Sequence, residues 1–353
     1  MSGVVKVLNK RQELVLSFLE SAESPRAASS IISQLGPLVG AVSRMTINRD
    51  LRELQSRNYI AKNGSGRSAV YALAAAYRAM KPIDIEKYFA VESDKRQIKK
   101  SFDFEVFSFF GDVFTQFELE RLKNLNILHR QNLKKLSSAV LKREYERLTV
   151  ELSWKSSKIE GNTYTLLETE YLLQEHKEPK GHVKEEAVMI LNHKAALDYI
   201  REHNQRFKKL NLRDIEDIHS LLIKGMDVAR NIRAGLVRVG GTVYQPLDNR
   251  FQIREAMKKT CLLVNKQNNP FAKAFIAMLM ISYIQPFEDG NKRASRLIGN
   301  ALLIAYNACP LSFRSVDELE YKKAILLFYE QNNYSYFKEL FIQQFEFAVK
   351  NYF

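Results

Sequence analysis

Apolar residues recur every three or four positions in the first sixty residues, which predicts three short helices. The first helix covers residues 10–20 and carries one apolar face, formed by Leu14, Val15, Phe18 and Leu19. The run AASSIISQLG predicts a second helix that ends at Gly36. In the third helix Ile47, Leu51 and Leu54 stand at i, i+4 and i+7 and form an apolar stripe. The outer face of that helix is therefore basic and polar, with Arg44, Asn48, Arg49 and Arg52.

Two short β-like runs follow the third helix in YIAKNGSGRSAVYAL, and Gly64-Ser65-Gly66 divides them with Lys62 and Arg67 beside the turn. Three helices and a basic hairpin resemble a winged helix-turn-helix domain of a bacterial regulator. The resemblance implies a domain over residues 1–78 whose third helix enters the DNA major groove and whose wing contacts phosphate. The alternative is a protein-docking module with solvated arginines.

A connector of mixed pattern is predicted over residues 79–116, because Pro82 breaks any helix that enters from the wing. Leu, Lys and Glu at helical spacing then predict one long helical stretch from about Phe117 to Ser157. At its end Ser156 and Glu160 are four residues apart and share a face, and Gly161-Asn162 is a typical helix stop.

The segment QPFEDGNKRASR at 285–296 lies between two apolar helical runs. Pro286 ends the first helix, and Gly290-Asn291 starts the second, which carries Lys292, Arg293 and Arg296 in its opening turns. Free N–H groups at a helix start favour an anion, and the three cations reinforce that preference. Asp289, just ahead of the anion site, is placed to take a Mg²⁺ that bridges two phosphates.

The same segment resembles the signature H-x-F-x-[D/E]-G-N-[G/K]-R-x-x-R of the Fic family. Upstream, SSKIEGN resembles the family's inhibitory helix, and GLVRVGGTVYQP resembles its β-hairpin flap. The resemblance implies a mainly α fold: a helical core over residues 117–353 with a β-hairpin flap, preceded by the small α+β winged-helix domain. Within that core the inhibitory helix would cover about 150–162, the flap about 235–246 and the signature loop 285–296.

The resemblance also implies an activity, the transfer of AMP from ATP to a hydroxyl of a protein target or of the chain itself. Asp289 would hold Mg²⁺, and Glu160 with Ser156 would inhibit by engaging Arg296. The implied nucleotide- and phosphate-binding residues are Phe287, Gly290, Asn291, Lys292, Arg293 and Arg296. The implied flap residues, which would align a target segment by main-chain hydrogen bonds, are Val237, Arg238, Val239, Gly240, Gly241 and Thr242.

Two residues depart from the family pattern. Gln285 stands where the family has a histidine that takes the proton of the attacking hydroxyl, and an amide cannot act as a general base near neutral pH. Lys292 stands where many members have glycine, and it resembles the Doc branch, which transfers phosphate. We therefore expect nucleotide binding with impaired transfer. AMP transfer stays ahead of phosphate transfer, and a DNA-binding regulator that only senses nucleotide is the competing function.

Composition adds a partner class and a compartment to this interpretation. The net charge of +14 favours a polyanionic partner, which could be DNA, RNA or a nucleotide. No apolar run is long enough to cross a bilayer, so we expect a cytoplasmic protein without a membrane partner; the sequence leaves a homodimer open. Cys261 and Cys309 have no metal-ligand spacing, which predicts buried, reduced thiols. His219 lies on an apolar helical face with Ile215 and Leu222, which favours a hydrogen-bonded core residue.

Overall fold

The computed structural model describes residues 8–22, 24–39, 43–74 and 77–353, apart from the side chains of Val39 and Arg67. The described part of the chain falls into two compact units. One comprises residues up to Pro82 together with Ser108–Phe117, and the other comprises Ile83–Phe107 and Glu118–Phe353.

The amino-terminal unit combines short helices with one small antiparallel sheet. Its elements are α1 Lys10–Ser21, β1 Arg26–Ala27, α2 Ala28–Val39, α3 Arg44–Ser56, β2 Ile60–Asn63, β3 Val70–Leu73 and α4 Tyr77–Met80. The sheet order is β1-β3-β2, with both pairs antiparallel. The predicted apolar stripe of α3 is confirmed, since Ile47, Leu51 and Leu54 are buried. The second helix continues past Gly36 to Val39, so its predicted end was wrong by three residues.

The larger unit is helical, as predicted. Its helices are α5 Ile85–Phe89, α6 Gln116–Leu133, α7 Ser138–Ile159, α8 Leu166–Glu175, α9 Lys184–Glu202, α10 Leu212–Leu222, α11 Arg250–Lys266, α12 Pro270–Ile284, α13 Asn291–Ala305, α14 Glu318–Gln331 and α15 Ser335–Asn351. In the described residues no helix is both long and apolar enough to cross a membrane. Both cysteines are buried and free, as predicted.

Two local expectations about this unit differ from the structure. The predicted single helix over 117–157 is two helices, because the Ser137 hydroxyl accepts from the Val140 N–H and starts a new helix there. The predicted β-hairpin at 235–246 is a loop with a turn at Gly240-Gly241 and no strand ladder of its own. Its one bridge pairs Gln245 with Ser101 of the segment before α6.

The core is built around α12, which is buried on every side from Phe271 to Ile284. This helix packs against α11, α13 and α14. Its neighbour α13 approaches closely at Gly299, where an added Cβ would lie 2.0 Å from the Cε of Met278. A glycine at that position lets the two helices that flank the signature loop pack tightly. The loop is thus held at the ends of the two most buried helices.

Candidate functional site

The signature loop leaves α12 and enters α13 through two left-handed residues. Gln285 follows the last residue of α12 with φ of 51°, and Gly290 precedes α13 with φ of 78°. No side chain caps the start of α13. The first-turn N–H groups of α13 therefore remain available to an anion, and the partial positive charge of the helix start favours it.

Internal hydrogen bonds fix the shape of the loop. The Asn291 side chain accepts from the Phe287 N–H at 2.8 Å and donates to the Phe287 carbonyl at 2.8 Å. Phe287 is fully buried and its ring stacks on the His219 ring at 3.6 Å between centroids. Phe287 and Asn291, both predicted as nucleotide-binding residues, thus fix the shape of the loop through these contacts.

His219 is a hydrogen-bonded core residue, as predicted, and it also holds the loop. Its Nε2 lies 2.9 Å from the Asp289 carbonyl oxygen. Burial lowers the pKa of His219 to about 4, so the ring is neutral near pH 7 and donates this bond as N–H. The apolar helical face predicted that this histidine is buried, but no sequence pattern predicted its contact with a loop 70 residues away.

Two arginines of α13 are buried beside the helix start. Arg293 and Arg296 are 1% and 0% exposed. Nη2 of Arg293 donates to Asp289 at 2.8 Å, while its buried Nη1 has no hydrogen-bond partner in the described residues. A buried guanidinium nitrogen without a partner is costly unless a ligand supplies one.

Arg296 is held by α7. It donates from Nη2 to the Glu160 carboxylate at 2.8 Å and to the Ser156 carbonyl at 2.9 Å, and from Nε to the Ser156 hydroxyl at 3.0 Å. Lys292 donates to the other carboxylate oxygen of Glu160 at 2.8 Å. The structure therefore brings together Ser156, Glu160, Lys292 and Arg296.

Glu160 is ionised in this setting. Burial raises the pKa of its carboxyl, but the attraction of Arg296 and then of Lys292 outweighs it and lowers the pKa to about 2. Glu160 caps the end of α7, whose preceding residues Ser156 and Ser157 are buried. The Glu160 carboxylate thus pairs with Lys292 and Arg296, two of the three cations that were predicted to bind an anion.

Asp289 is the candidate magnesium ligand, and its side chain is 59% exposed. The described residues contain no group of three or more His, Cys, Asp or Glu side chains that could hold a metal ion. A single carboxylate fits Mg²⁺ only when phosphate oxygens and water complete the shell, which is the usual arrangement for a nucleotide-bound magnesium.

Gln285 is 7% exposed at the end of α12. Its Nε2 donates to the Ser282 carbonyl at 2.6 Å and lies 3.2 Å from the Tyr329 hydroxyl. Burial raises the pKa of Tyr329 far above its usual range, so this phenol is no substitute base near neutral pH. Neither group is able to take a proton from an attacking hydroxyl.

Arg233, which joins the flap to the signature loop, was not predicted from the sequence. This arginine is 2% exposed, and its Nε donates to the Gln285 carbonyl at 2.6 Å. Its own N–H donates to the Pro286 carbonyl at 3.0 Å, and its Nη1 donates to the Gly235 carbonyl. One buried side chain thereby fixes the start of the flap against residue 285.

The predicted flap residues line the turn of the 235–246 loop at its surface. Arg238, Gly240 and Gly241 are exposed, while Val237, Val239 and Thr242 are half-buried. Of the residues predicted to bind DNA, Arg44, Arg49, Arg52 and Lys62 are exposed and Asn48 is half-buried. The Arg67 side chain lies outside the described residues.

A family comparison decides which fold this site belongs to, because residues 209–303 match the Fic/DOC family. The chain carries a Fic/DOC family domain. The matched range contains the flap, Gln285 and the opening turns of α13.

Curated relatives of the Fic domain include a protein named "Protein adenylyltransferase Fic" of Drosophila ananassae, 28% identical over 199 residues. That match covers 55% of this chain and 40% of the relative. The protein of the same name from Aedes aegypti is 30% identical over 179 residues, with 48% of this chain and 34% of the relative covered. The chain thus spans about 40% of the length of the first of these relatives.

Solved structures share the fold of the Fic domain. Fic-1 (aa134 - 508) from C. elegans has a TM-score of 0.58 at 21% identity, with 67% of this chain and 72% of that chain covered. A Fic domain containing signaling protein from Bacteroides thetaiotaomicron has a TM-score of 0.55 at 20% identity, covering 65% and 96%. These likenesses confirm the mainly helical Fic fold.

Proposed function

We propose that the protein binds MgATP at the start of α13 and belongs, by its chemistry, to the protein adenylyltransferases. One observation carries the proposal: Arg293 and Arg296 are buried beside an uncapped helix start, and Nη1 of Arg293 lacks a partner among the described residues. A triphosphate supplies the missing acceptors, and charge-assisted bonds to phosphate are among the stronger ones in proteins. The names of the curated relatives support ATP as the substrate.

The proposed reaction is displacement at the α-phosphorus. The target hydroxyl oxygen forms a bond to that phosphorus, the bond to the bridging oxygen breaks, and pyrophosphate leaves. The loop N–H groups and Arg293 bind the phosphates, and the flap holds the target segment. Asp289 would hold Mg²⁺, which neutralises phosphate charge when bound. The hydroxyl proton needs an acceptor at position 285, where the Gln285 amide has no usable basicity.

We further propose that Glu160 inhibits this site. Its carboxylate forms ion pairs with Arg296 and Lys292, two of the residues predicted to bind phosphate. While both bonds exist, the two cations are unavailable to a phosphate, and the remaining contacts leave the triphosphate in an unproductive pose. The fixed end of α7 keeps the carboxylate there without any partner protein.

Nucleotide binding through Arg293 is directly testable. In a Glu160→Gly chain, Arg293→Ala should weaken MgATP binding by about tenfold or more, because a buried charge-assisted bond is lost. Titration calorimetry measures the affinity. Lys258→Ala, an exposed cation on α11, is the matched control and should leave it unchanged. Equal affinity of the Arg293→Ala chain and its parent contradicts the proposed phosphate site.

A second function, DNA binding by the amino-terminal unit, is favoured by the basic outer face of α3. Arg44, Arg49 and Arg52 are exposed there, opposite the buried stripe. We propose that this unit acts as a winged helix whose cations contact duplex phosphate. This function is compatible with the nucleotide site or with a regulator that only senses nucleotide.

For the full chain we expect duplex affinity to fall steeply as salt rises, because each phosphate contact releases counterions. Arg49→Ala should weaken binding on all sequences and reduce the salt slope by about one. Fluorescence anisotropy over a salt series measures both effects. Lys10→Ala, an exposed cation on α1, should have the smaller effect. Salt-independent binding excludes this function.

A further inference from the structure

The segment that precedes α6 holds the tip of the flap through a buried arginine. We call residues 96–103 the strap. Nη2 of Arg96 donates to the Gly241 carbonyl at 2.8 Å, at the turn of the flap. The Arg96 side chain is 6% exposed, and its Nη1 lies 3.3 Å from the fully buried carboxylate of Glu330. Its guanidinium also lies 5.0 Å from the Phe89 ring centroid.

The strap then follows the second half of the flap. Ser101 and Gln245 form a parallel bridge, and the Gln245 N–H donates to the Lys100 carbonyl at 2.8 Å. The strap is itself anchored on α14, since the Lys99 N–H donates to the Glu330 carbonyl at 2.9 Å. Main-chain bonds therefore connect α14, the strap and the flap in sequence.

The end of the strap reaches the helix that carries residue 285. Phe102 stacks on Tyr283 at 4.7 Å between ring centroids, and the Asp103 N–H donates to the Tyr283 hydroxyl at 3.1 Å. From the flap side, Tyr244 stacks on the same ring at 4.9 Å and donates its hydroxyl to the Tyr283 carbonyl at 2.9 Å. Strap and flap thus meet at a residue two positions before the site.

The flap needs such external support because it has no strand ladder of its own. A loop without internal pairing samples many conformations unless outside contacts restrict it. An extended target segment can only be aligned by a backbone that is already fixed in place. Arg96 supplies a directed, charge-assisted contact at the turn, and a buried ion pair with Glu330 fixes its geometry. Burying the Arg96–Glu330 ion pair has a desolvation cost, so the pair adds little to the free energy of unfolding. Fixing one conformation of the Arg96 side chain explains the pair better.

We propose that Arg96 is a positioning residue for the transfer reaction. It holds the flap tip so that Val237–Val239 present their main chain to a target segment while the strap pairs with the flap at Gln245. The inference rests on the proposed function and adds a residue from outside the matched Fic/DOC range. Its partner is an extended hydroxyl-bearing segment, from a protein target or from the chain itself.

The test uses the full chain carrying Gln285→His and Glu160→Gly, with Arg96→Ala, Arg96→Lys and the exposed control Lys95→Ala added separately. Hydrogen exchange measures flap opening at the N–H groups of Tyr244 and Gln245, which donate to the Thr242 hydroxyl and the Lys100 carbonyl, with no nucleotide or target present. We expect Arg96→Ala to speed exchange there about tenfold or more, since one charge-assisted bond is lost. Arg96→Lys, which keeps the charge and a donor, should restore part of the protection.

Self-labelling and MgATP affinity together distinguish a positioning role of Arg96 from a general role in folding. Self-labelling with α-labelled ATP needs an aligned segment, so it should fall about tenfold in Arg96→Ala, while MgATP affinity should stay within about twofold because the phosphate contacts are untouched. Unchanged flap exchange overturns the proposal, and so does an equal loss of MgATP affinity. If the parent chain binds no MgATP, the proposed function fails, while the exchange data still decide whether Arg96 holds the flap.

Discussion

Transfer of AMP should rise by about 10²- to 10⁴-fold when Gln285 is replaced by histidine in a chain that also carries Glu160→Gly, because that is the usual contribution of a general base. The left-handed backbone at position 285 suits the change, since histidine is several-fold enriched in that conformation. Arg233 donates to the main-chain carbonyl of residue 285, so the substitution leaves this hydrogen bond in place.

Radiolabelled ATP measures this outcome and also separates the two transfer reactions. Label on the α-phosphorus should enter protein if AMP is transferred, whereas label on the γ-phosphorus should enter if Lys292 directs phosphate transfer. The single Glu160→Gly chain is the control and should bind nucleotide with little labelling. If the double variant binds MgATP and takes up neither label, both transfer functions are excluded and a sensing role remains.

Removal of Glu160 should strengthen MgATP binding by roughly ten- to hundredfold, the equivalent of one hydrogen-bonded charged pair of about 1.5–3 kcal/mol. Glu160→Gly frees both Arg296 and Lys292 for phosphate oxygens. Titration calorimetry on the parent and variant chains measures the difference. Glu146→Gln, on an exposed glutamate of the same helix, is the matched control and should bind like the parent.

The inhibition by Glu160 should be independent of pH between about 5 and 9. The pKa of Glu160 is lowered in the folded protein from 4.5 to about 2, so its ion pairs contribute fully above the unfolded value and are lost only as pH falls through about 2. The affinity ratio between Glu160→Gln and the parent should thus be constant over that range. A ratio that approaches one between pH 7 and pH 5 contradicts inhibition by a Glu160 carboxylate that stays ionised over this range.

The sequence predicted the short-range features of the site well. The helix, loop and helix around residues 285–296 follow from apolar periodicity and from Gly290, and the Ser156–Glu160 face follows from helical spacing. The pairing of Glu160 with Arg296 came from the family resemblance, because 136 residues separate the two and no periodic signal connects them.

Contacts of this long-range kind account for most of what sequence reasoning missed. Arg233 and Arg96 have buried side chains that donate to main-chain carbonyls. Because every residue has a carbonyl, the sequence does not indicate which residue accepts the bond. The bond between Lys292 and Glu160 was missed for a different reason. Lys292 had been predicted to bind phosphate, so no protein partner was considered for it. The β-hairpin at 235–246 was predicted from the family resemblance alone, and the structure has a loop there whose support comes from Arg96 and Arg233.

Gln285 follows the last residue of α12, and its side chain makes two hydrogen bonds, to the Ser282 carbonyl and with the Tyr329 hydroxyl. Codons for glutamine and histidine differ only at their third base. Under the proposed function, one base change therefore separates a chain that carries the general base from one that lacks it. The general base proposed for this position is thus as easily regained as lost.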